Sequence, residues 1–346
     1  MRVLVDVTHP AHVHLFRNAI KELEDDGHDV AVCSREKDIT TDLLSIYGID
    51  HTVLSRRRSG QLPLLLEWPQ REIASLQYYR NVDPDIVLSR FNPAAAHVAS
   101  LLDIPHLVFE DTEPKPWVVK KLTYPFSHQI HTPDCFQRDL GPRQRSYPGY
   151  HELAYLHPNW FEPDPSVLDE FDLEEDDQIV VLRLVSWEAV HDVGETGFDD
   201  IEDIISRLES TGAQVVITSE LRLPDKLDEY KSNVGIEEMH HLLHFADLLI
   251  GESATMAAES AVLGTPAVFV STTQRGYTDE LDGRYGLVFN FADTNRHARG
   301  LEKSLEILQK DNSALWKKRR EKLLSEKIDT TEYILTHTME VAENGR

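Results

Sequence analysis

The sequence is poor in cysteine, lacks long apolar runs and has far fewer basic than acidic residues. Its 346 residues contain only two cysteines, Cys33 and Cys135, which argues against a disulfide scaffold and against a cysteine-rich metal site. No apolar run approaches the roughly 18 residues that a membrane-spanning helix needs. The start of the chain is too short in apolar residues and too quickly acidic for a signal peptide. We therefore expect a cytoplasmic protein.

The charge is strongly negative along the whole chain. Asp and Glu number 60 against 35 Lys and Arg, which gives a formal net charge of -25. Acidic clusters occur at residues 22–26, 169–177 and 199–203. This distribution favours a halophilic protein, whose carboxylates keep the surface hydrated in high salt, over an ordinary acidic protein. In either case binding to nucleic acid or to an anionic membrane is disfavoured, so an anionic substrate needs a local positive pocket.

What the sequence does contain is two series of alternating strand-like and helix-like segments. The first series runs from residues 3–7 to residues 106–109, and the second from residues 178–184 to residues 287–289. Such alternation predicts an α/β fold with parallel sheets and helices on both faces. Prolines crowd residues 133–165 between the two series, so we interpret that stretch as the interdomain connection. Because ligands of such sheets bind at the carboxyl ends of the strands, the loops there are candidates for chemistry.

The most informative segment, residues 249–270, reads as a buried strand, a glycine turn, a short helix, a glycine stop and a second buried strand. Gly251, Ser253 and Thr255 stand in the turn and in the first turn of the helix, and Glu259 follows one turn later. Free N–H groups and hydroxyls at a helix start bind anions. A carboxylate further along the same helix can accept hydrogen bonds from a vicinal diol. Phosphate at one end and ribose at the other describe a nucleotide.

Residues 244–267 resemble the nucleotide-sugar motif of GT-B proteins. That superfamily includes sugar-nucleotide glycosyltransferases and the UDP-N-acetylglucosamine 2-epimerases. Over nearly its whole length, with residues 6–16 and 150–156 included, the chain is similar to an archaeal and bacterial GT-B family known mainly as a domain of unknown function. The resemblance to the superfamily does not separate transferases from epimerases.

The resemblance implies a GT-B fold, which has two Rossmann-like doubly wound domains with a cleft between them. We expect an N-terminal acceptor or catalytic domain over residues 1–160 and a C-terminal nucleotide-sugar-binding domain over residues 161–327. Residues 328–346 would carry a last helix, near residues 330–343, that crosses back to the first domain.

The resemblance also implies a set of nucleotide-sugar contacts. Glu259 would hold the ribose hydroxyls, and the diphosphate would be met by groups of Ser253, Ala254 and Thr255. Arg183 ends a strongly apolar strand, where an unpaired charge is costly, and its planar fork suits a pyrophosphate. Ser186 is a nearby partner. Pairing of Arg183 with an acidic neighbour is the alternative.

Histidines dominate the loop after the first strand. His9 would face the cleft and act as a base or a phosphate partner near neutral pH, and His12 would touch the ligand or cap the helix. Loop histidines without a direct role remain the alternative. A metal is disfavoured because His9, His12 and His14 do not share one helical face.

Carboxylates follow the strand at residues 106–109. Close carboxylates separate each other's pKa values, which suits acid–base chemistry at Glu110 and Asp111, while capping of the following helix is the alternative. Glu110 also resembles a catalytic carboxylate of the 2-epimerases. The epimerase pattern is otherwise incomplete, since residues 89–92 lack its aspartate and the loop after Leu184 lacks its His-Arg-Arg-Glu-Asn sequence.

Other cationic residues are candidates for binding. Arg90 would contact the acceptor or form a loop salt bridge, and Arg275 would meet the sugar of the donor. The basic run at residues 56–58 would bind an anionic acceptor or remain a solvated loop. The histidines at 240, 241 and 244 suggest zinc only weakly, because the segment resembles the helix that packs near the base in this family.

The leading hypothesis is a metal-independent glycosyltransferase that takes a sugar from a nucleotide-sugar, UDP-linked, and needs no cofactor. The helix dipole and Arg183 would neutralise the leaving diphosphate, and His9 or Glu110 would be the acceptor-side base. The alternatives are a UDP-sugar 2-epimerase and a non-catalytic nucleotide-sugar-binding protein. The expected acceptor is a glycan or a lipid-linked phosphate, with at most peripheral membrane contact and no nucleic acid, and a homodimer is compatible with this hypothesis.

Overall fold

The computed structural model describes residues 1–57, 61–113, 117–184, 201–219, 223–232 and 234–344, apart from the side chains of residues 61–66 and 117–119. The chain divides into two compact units. Unit 1 consists of Met1–Trp160 and Lys327–Arg346, and unit 2 of Phe161–Glu326. Within the described residues, no helix combines the length and the apolar character that a bilayer crossing requires.

Unit 1 is built on a parallel β-sheet. Its described strands are β1 (Arg2–Val7), β2 (Asp29–Glu36), β3 (Thr52–Arg56), β4 (Ile86–Arg90), β5 (His106–Phe109), β6 (Gln129–Pro133) and β7 (Gln144–Tyr147). The spatial order is β3-β2-β1-β4-β5-β6-β7. The order of the strands reverses between β1 and β4, and ligands of doubly wound sheets bind at such a switch point.

Unit 2 carries a second parallel sheet. Its described strands are β8 (Ile179–Leu184), β9 (Gln214–Ser219), β10 (Leu248–Gly251), β11 (Ala267–Val270) and β12 (Val288–Phe291). They lie in the order β12-β11-β10-β8-β9. The switch point of this unit therefore lies between β8 and β10.

Helices connect the strands and cover the sheets. Those of unit 1 are α1 (Pro10–Asp25), α2 (Thr40–Ile46), α3 (Gln61–Val82), α4 (Pro93–Leu101) and α5 (Trp117–Thr123). Those of unit 2 are α6 (Ile201–Glu209), α7 (Met239–Phe245), α8 (Ala254–Leu263), α9 (Gly276–Glu280), α10 (Arg296–Leu308) and α11 (Ser313–Glu326). The last helix, α12 (Thr330–Asn344), belongs to unit 1.

The sequence explains the first strand and helix of unit 1. Residues 3–7 are completely buried in β1, as expected for a central parallel strand that is covered on both faces. Pro10 occupies the first turn of α1, where its missing N–H has no cost. Apolar side chains of α1 that recur every three or four residues face the core: Val13, Phe16, Ile20 and Leu23.

The return of α12 to unit 1 is fixed by polar contacts at its first turn. Asp329 accepts a hydrogen bond from the backbone N–H of Thr331 at 2.9 Å, which caps the helix. The hydroxyl groups of Thr330 and Thr331 donate to the carbonyl oxygens of Tyr150 and Ala154 at 2.6 and 2.7 Å. These bonds tie α12 to the turn at residues 150–154, and the helix also packs against α1.

The α/β class and the pair of Rossmann-like doubly wound units are confirmed. The prediction that residues 133–165 form an interdomain connection is wrong for its first half, because β6 ends and β7 lies within that stretch. β7 is a short polar strand at the edge of the sheet, flanked by Pro142 and Pro148. Prolines are tolerated next to an edge strand, since no second neighbour needs their N–H, so they do not exclude a strand here.

Candidate functional site

The switch point of unit 2 brings Gly251 against Arg183. The two residues are register partners in β10 and β8. A Cβ atom added to Gly251 would lie 2.5 Å from the carbonyl oxygen of Arg183 and 2.7 Å from its Cβ. This approach requires glycine, so the end of β10 and the start of the following turn depend on it. Arg183 is half-buried there. Its predicted partner Ser186 lies outside the described residues.

The helix start that follows β10 has the geometry of an anion site. Ser253 is the N-cap of α8 with an extended backbone, and its hydroxyl oxygen accepts from the N–H of Met256 at 3.3 Å. The first helical bond runs from the N–H of Ala257 to the carbonyl oxygen of Ser253 at 3.0 Å. Ala254 and Thr255 stand in the first turn, where the helix supplies no acceptor for their N–H groups.

Glu259 lies on the buried face of α8 and is held by a histidine. Its Oε1 lies 3.0 Å from Nε2 of His240, which belongs to α7. The two side chains are 7% and 4% exposed. The contact with His240 orients the carboxylate of Glu259. The sequence prediction named Glu259 but did not identify His240 as its partner.

The three histidines of α7 go to separate partners. His240 contacts Glu259, whereas Nδ1 of His241 accepts from the N–H of Asp164 at 2.9 Å. His244 packs edge-on against Phe245, and burial lowers its pKa to about 4. The three side chains therefore contact one carboxylate, one backbone N–H group and one aromatic ring.

Arg275 precedes α9 as its N-cap residue. Its Nη1 donates to Oγ1 of Thr273 at 2.9 Å, which stabilises the loop after β11. The side chain of Tyr277 is buried and belongs to the core. Contact of Arg275 with a sugar remains a prediction.

In unit 1 the loop after β1 presents His9 and His12 close together. Nδ1 of His9 accepts from the N–H of Ala11 at 3.2 Å, so the ring caps α1. Nδ1 of His12 lies 3.3 Å from the N–H of Thr8. The two rings are 5.9 Å apart between centroids. The capping role expected of His12 is therefore carried by His9, and contact of either ring with a ligand remains a prediction.

The charge state of His9 follows from its surroundings. The residue is exposed, but desolvation, followed by the nearby cations Lys37 and Arg90, lowers its pKa to about 4. His9 is therefore neutral at pH 7. Because Nδ1 accepts a backbone hydrogen bond, the neutral ring carries its proton on Nε2 and offers a donor there.

Asp111 forms the centre of a buried polar cluster at the ends of β4 and β5. Nη2 of Arg90 donates to its Oδ1, Nδ1 of His151 lies 2.8 Å from its Oδ2, and Thr112 donates its hydroxyl at 2.6 Å. Burial opposes the charged form, but Arg90 and then His151 hold the pKa of Asp111 well below its usual range. Burial lowers the pKa of His151 more than Asp111 raises it, so Arg90 is the counter-ion near neutral pH.

Glu110 is buried completely and stabilises its own turn. Its Oε1 accepts from the N–H groups of Asp111 and Thr112, each at 3.0 Å. Its Oε2 accepts from the hydroxyl of Tyr124 at 3.3 Å. Glu110 therefore caps backbone N–H groups of its own loop. The alternative from the sequence was capping of the helix that follows. A catalytic role for Glu110 remains a prediction and would require the turn to open.

The members of the basic run that the structure describes have acidic neighbours. Arg56 donates to Glu36 at 2.7 Å, and Arg57 lies 3.7 Å from Asp38. Both arginine side chains are largely exposed. Arg58 lies outside the described residues.

A cavity of about 230 Å³ opens beside the switch point of unit 1. Thr8 after β1 lines it, and so do Arg35, Glu67, Trp68, Arg71, Phe91 and Asn92. Arg71 donates to the buried carboxylate of Asp6, which also accepts from the hydroxyl of Tyr79 at 3.1 Å. Sequence reasoning did not find this site. The available signal was Asp6 itself, a charge inside an apolar strand that requires a partner.

The chain matches, over residues 1–312, the family model described as "Protein of unknown function (DUF354)", and it belongs to this family. An uncharacterized protein of Methanocaldococcus jannaschii is 25% identical over 279 residues, which cover 77% of this chain and 80% of that protein.

Solved structures share the fold at low sequence identity. The UDP-GlcNAc 2-epimerase from Neisseria meningitidis, bound to UDP-GlcNAc, has a TM-score of 0.68 at 15% identity, covering 98% of this chain and 99% of that chain. The glycosyltransferase VinC, in complex with DTDP, has a TM-score of 0.66 at 15% identity, covering 99% and 100%. These similarities establish a GT-B fold of the kind found in sugar-nucleotide enzymes, and at such identities they establish the fold alone.

Proposed function

We propose that this DUF354 protein is a GT-B glycosyltransferase that takes a sugar from a UDP-linked donor and transfers it to an acceptor. The observation that carries the proposal is the geometry of α8. Its first turn follows β10 directly, and His240 holds the carboxylate of Glu259 six residues after Ser253. Six residues span about 9 Å along a helix axis, so an anionic group at the helix start and a diol at Glu259 fit one nucleotide.

The departing diphosphate would be stabilised without a metal. The N–H groups of Ala254 and Thr255 and the positive end of the helix dipole point to the place where negative charge develops. Arg183, at the neighbouring strand end, would supply a further cation. Such preorganised donors stabilise a charged leaving group because they need no rearrangement during the reaction.

On the acceptor side His9 is the residue best placed to meet an oxygen atom of the substrate. Its ring is neutral at pH 7, and with Nδ1 engaged by Ala11 its free position is a donor. We therefore propose that His9 first binds oxygen through Nε2–H, with Arg90 nearby. Proton removal by His9 would require the ring to give up its capping bond.

Two assays distinguish transferase, epimerase and binding protein. The purified protein, kept in high salt, is incubated with UDP-sugars with and without a glycan mixture, and the products are separated by chromatography. Released UDP together with a glycosylated acceptor supports the proposal. An epimerised UDP-sugar would identify the epimerase alternative, and binding without turnover would identify a non-catalytic protein.

The nucleotide site is tested by calorimetry with UDP on Glu259→Ala. Loss of hydrogen bonds to a charged group predicts binding that is about tenfold to a hundredfold weaker. Glu302→Ala is the matched control, because Glu302 is an exposed carboxylate on α10. If Glu259→Ala remains folded in a thermal melt and binds UDP as tightly as the parent, the assignment of α8 is wrong.

A further inference from the structure

The carboxylate of Glu259 is paired with a histidine inside unit 2. Nε2 of His240 lies 3.0 Å from Oε1 of Glu259, and both residues are buried. A carboxylate has no proton to donate, so Nε2–H of His240 is the donor of this bond. Hydrogen bonds to a charged group are about twice as strong as neutral ones, and burial strengthens them further. The bond therefore fixes the direction of the carboxylate before a ligand arrives.

His240 is itself held in place by its surroundings. It is the second residue of α7, and the ring of Phe161 meets it edge-on, with 6.4 Å between ring centroids. Further along α7, the carbonyl oxygen of Leu243 accepts from the hydroxyl of Thr265 at 2.7 Å. Thr265 directly follows the glycine that ends α8, so this buried bond joins the helix of His240 to the helix of Glu259. Packed helices thus set the separation of the two side chains.

A fixed carboxylate differs from a mobile one in how it treats ligands. A glutamate side chain has several rotatable bonds, and ordering it opposes binding. Because His240 already orders Glu259 in the folded protein, two ribose hydroxyls meet an oriented acceptor and less binding energy is lost. When one hydroxyl is missing, a fixed and buried carboxylate cannot turn to another partner, and the lost hydrogen bond counts against binding. Fixation therefore favours a diol over a sugar that lacks one hydroxyl.

We propose that His240 is a positioning residue that makes the donor site selective for ribonucleotides over 2′-deoxyribonucleotides. It acts through Glu259 and makes no contact of its own with the nucleotide. The proposal rests on the proposed function, because it takes Glu259 as the residue that meets the ribose. It goes further by assigning the selectivity to a side chain on another helix, which lies outside the nucleotide-sugar motif of residues 244–267.

The test measures the affinities of the full chain for UDP and for 2′-deoxy-UDP by calorimetry. For the parent we expect UDP to bind about a hundredfold more tightly. His240→Phe keeps an aromatic ring beside Phe161 and removes the donor to Glu259, so this preference should fall to about tenfold or less, mainly through weaker binding of UDP. A parent without a preference for UDP, or a folded His240→Phe variant with the full preference, overturns the proposal.

Two further variants separate positioning from a general loss of structure. In His240→Gln the amide nitrogen can take the place of Nε2, so we expect most of the preference for UDP to be retained. His244→Phe makes the aromatic replacement one helical turn later on α7, beside Phe245, and should leave both affinities unchanged. Thermal melts check that each variant is folded. If His240→Phe does not fold, His240→Asn replaces it, because its amide is too short to reach Glu259. Equal losses in the glutamine and phenylalanine variants would contradict the positioning role.

A double-mutant cycle tests whether His240 acts only through Glu259. It compares the UDP affinities of the parent, His240→Phe, Glu259→Ala and the double variant. Because Glu259→Ala already removes the carboxylate, adding His240→Phe should change the affinity less than about twofold. If the two effects add, His240 influences the nucleotide by another route, and the proposal is wrong.

Imidazole ¹⁵N spectra of the ligand-free protein test the bond without a nucleotide. We expect a proton on Nε2 of His240 and a shift of its signal in Glu259→Gln; an Nε2 without a proton overturns the proposal. UDP binding separates the proposal from the proposed function. No UDP binding by the parent refutes the donor site and the selectivity together, even where the spectra show the bond. UDP binding whose preference survives His240→Phe refutes the selectivity and leaves the donor site standing.

Discussion

Unit 1 and unit 2 are both doubly wound, with the strand orders β3-β2-β1-β4-β5-β6-β7 and β12-β11-β10-β8-β9, and their switch points present different chemical groups. In unit 2, Gly251 lets β10 approach β8 at the distance of backbone contact, and α8 then presents N–H groups. In unit 1, the corresponding place is lined by long side chains that include Arg35, Trp68 and Arg71. One site is therefore made of backbone donors and the other of paired charges and aromatic rings.

The difference teaches how doubly wound sheets support two kinds of binding. Backbone N–H groups at a helix start attract anions because their dipoles add without a compensating charge nearby. Guanidinium groups that already face buried carboxylates do not add net charge to a cavity. Position is set by the fold, and ligand class is set by which groups the loops bring to that position.

The largest effect on stability is expected from a substitution that removes one charge of the buried pair in unit 1. Asp6→Asn removes the carboxylate that faces Arg71 and leaves a buried guanidinium uncompensated, so we expect a loss of about 3–5 kcal/mol in the free energy of unfolding. Urea denaturation measures it. Asp29→Asn is the control, because Asp29 pairs with Arg2 at an exposed position and should cost under about 1 kcal/mol. Equal losses in the free energy of unfolding for the two variants would show that the buried pair stabilises the fold no more than the exposed pair does.

The second effect tests the backbone contact of unit 2. Gly251→Ala places a Cβ against the carbonyl oxygen of Arg183, and overpacking of this kind costs about 1–3 kcal/mol. UDP binding should fall with it, since the turn before α8 must shift. Gly283→Ala is the matched control, because the added Cβ meets no atom within 4 Å among the described residues. Denaturation and calorimetry that do not distinguish the two variants would contradict the role of Gly251.

The third effect concerns the electrostatics around His9 in unit 1. Its lowered pKa keeps the ring neutral as the pH falls from 7 until protonation near pH 4, and activity that depends on neutral His9 should fall only there. Imidazole ¹⁵N shifts report both the midpoint and the proton on Nε2. Lys37→Gln removes a cation that lowers the pKa, so the midpoint should rise. A midpoint of about 6.5, the value of an unperturbed histidine, would contradict this description.

The smallest effect is expected from salt and applies to both units. Acidic clusters lie in unit 1 at residues 22–26 and in unit 2 at residues 169–177. Raising KCl from about 0.15 M to about 1 M shortens the screening length from about 8 Å to about 3 Å. Weaker repulsion should raise Tm by a few degrees, at about 2–4 °C per kcal/mol. A Tm that falls over this range would contradict the proposal of a halophilic protein.

Local patterns predicted much of the fold. The strand, turn, helix and strand expected over residues 249–270 are β10, the turn after it, α8 and β11. They could be predicted because the cap residue, the apolar spacing and the glycine stop are all close in sequence. β7 was missed because a short polar edge strand carries no comparable pattern. Glu259 was found from the helix that carries it, while its partner His240 lies 19 residues earlier on another helix.

The sequence by itself determined the two α/β series, the acidic surface and the glycine–serine–glutamate pattern of α8, since each is encoded within a short stretch of chain. Only the tertiary structure decided that Arg71 faces Asp6 across 65 residues of sequence, and that Glu110 turns inward to its own loop. It also decided that Asn92 caps α4 and lies buried beside the cavity of unit 1. Burial and pairing between distant elements decide such matters, because the energy of a charge or a donor depends on what surrounds it.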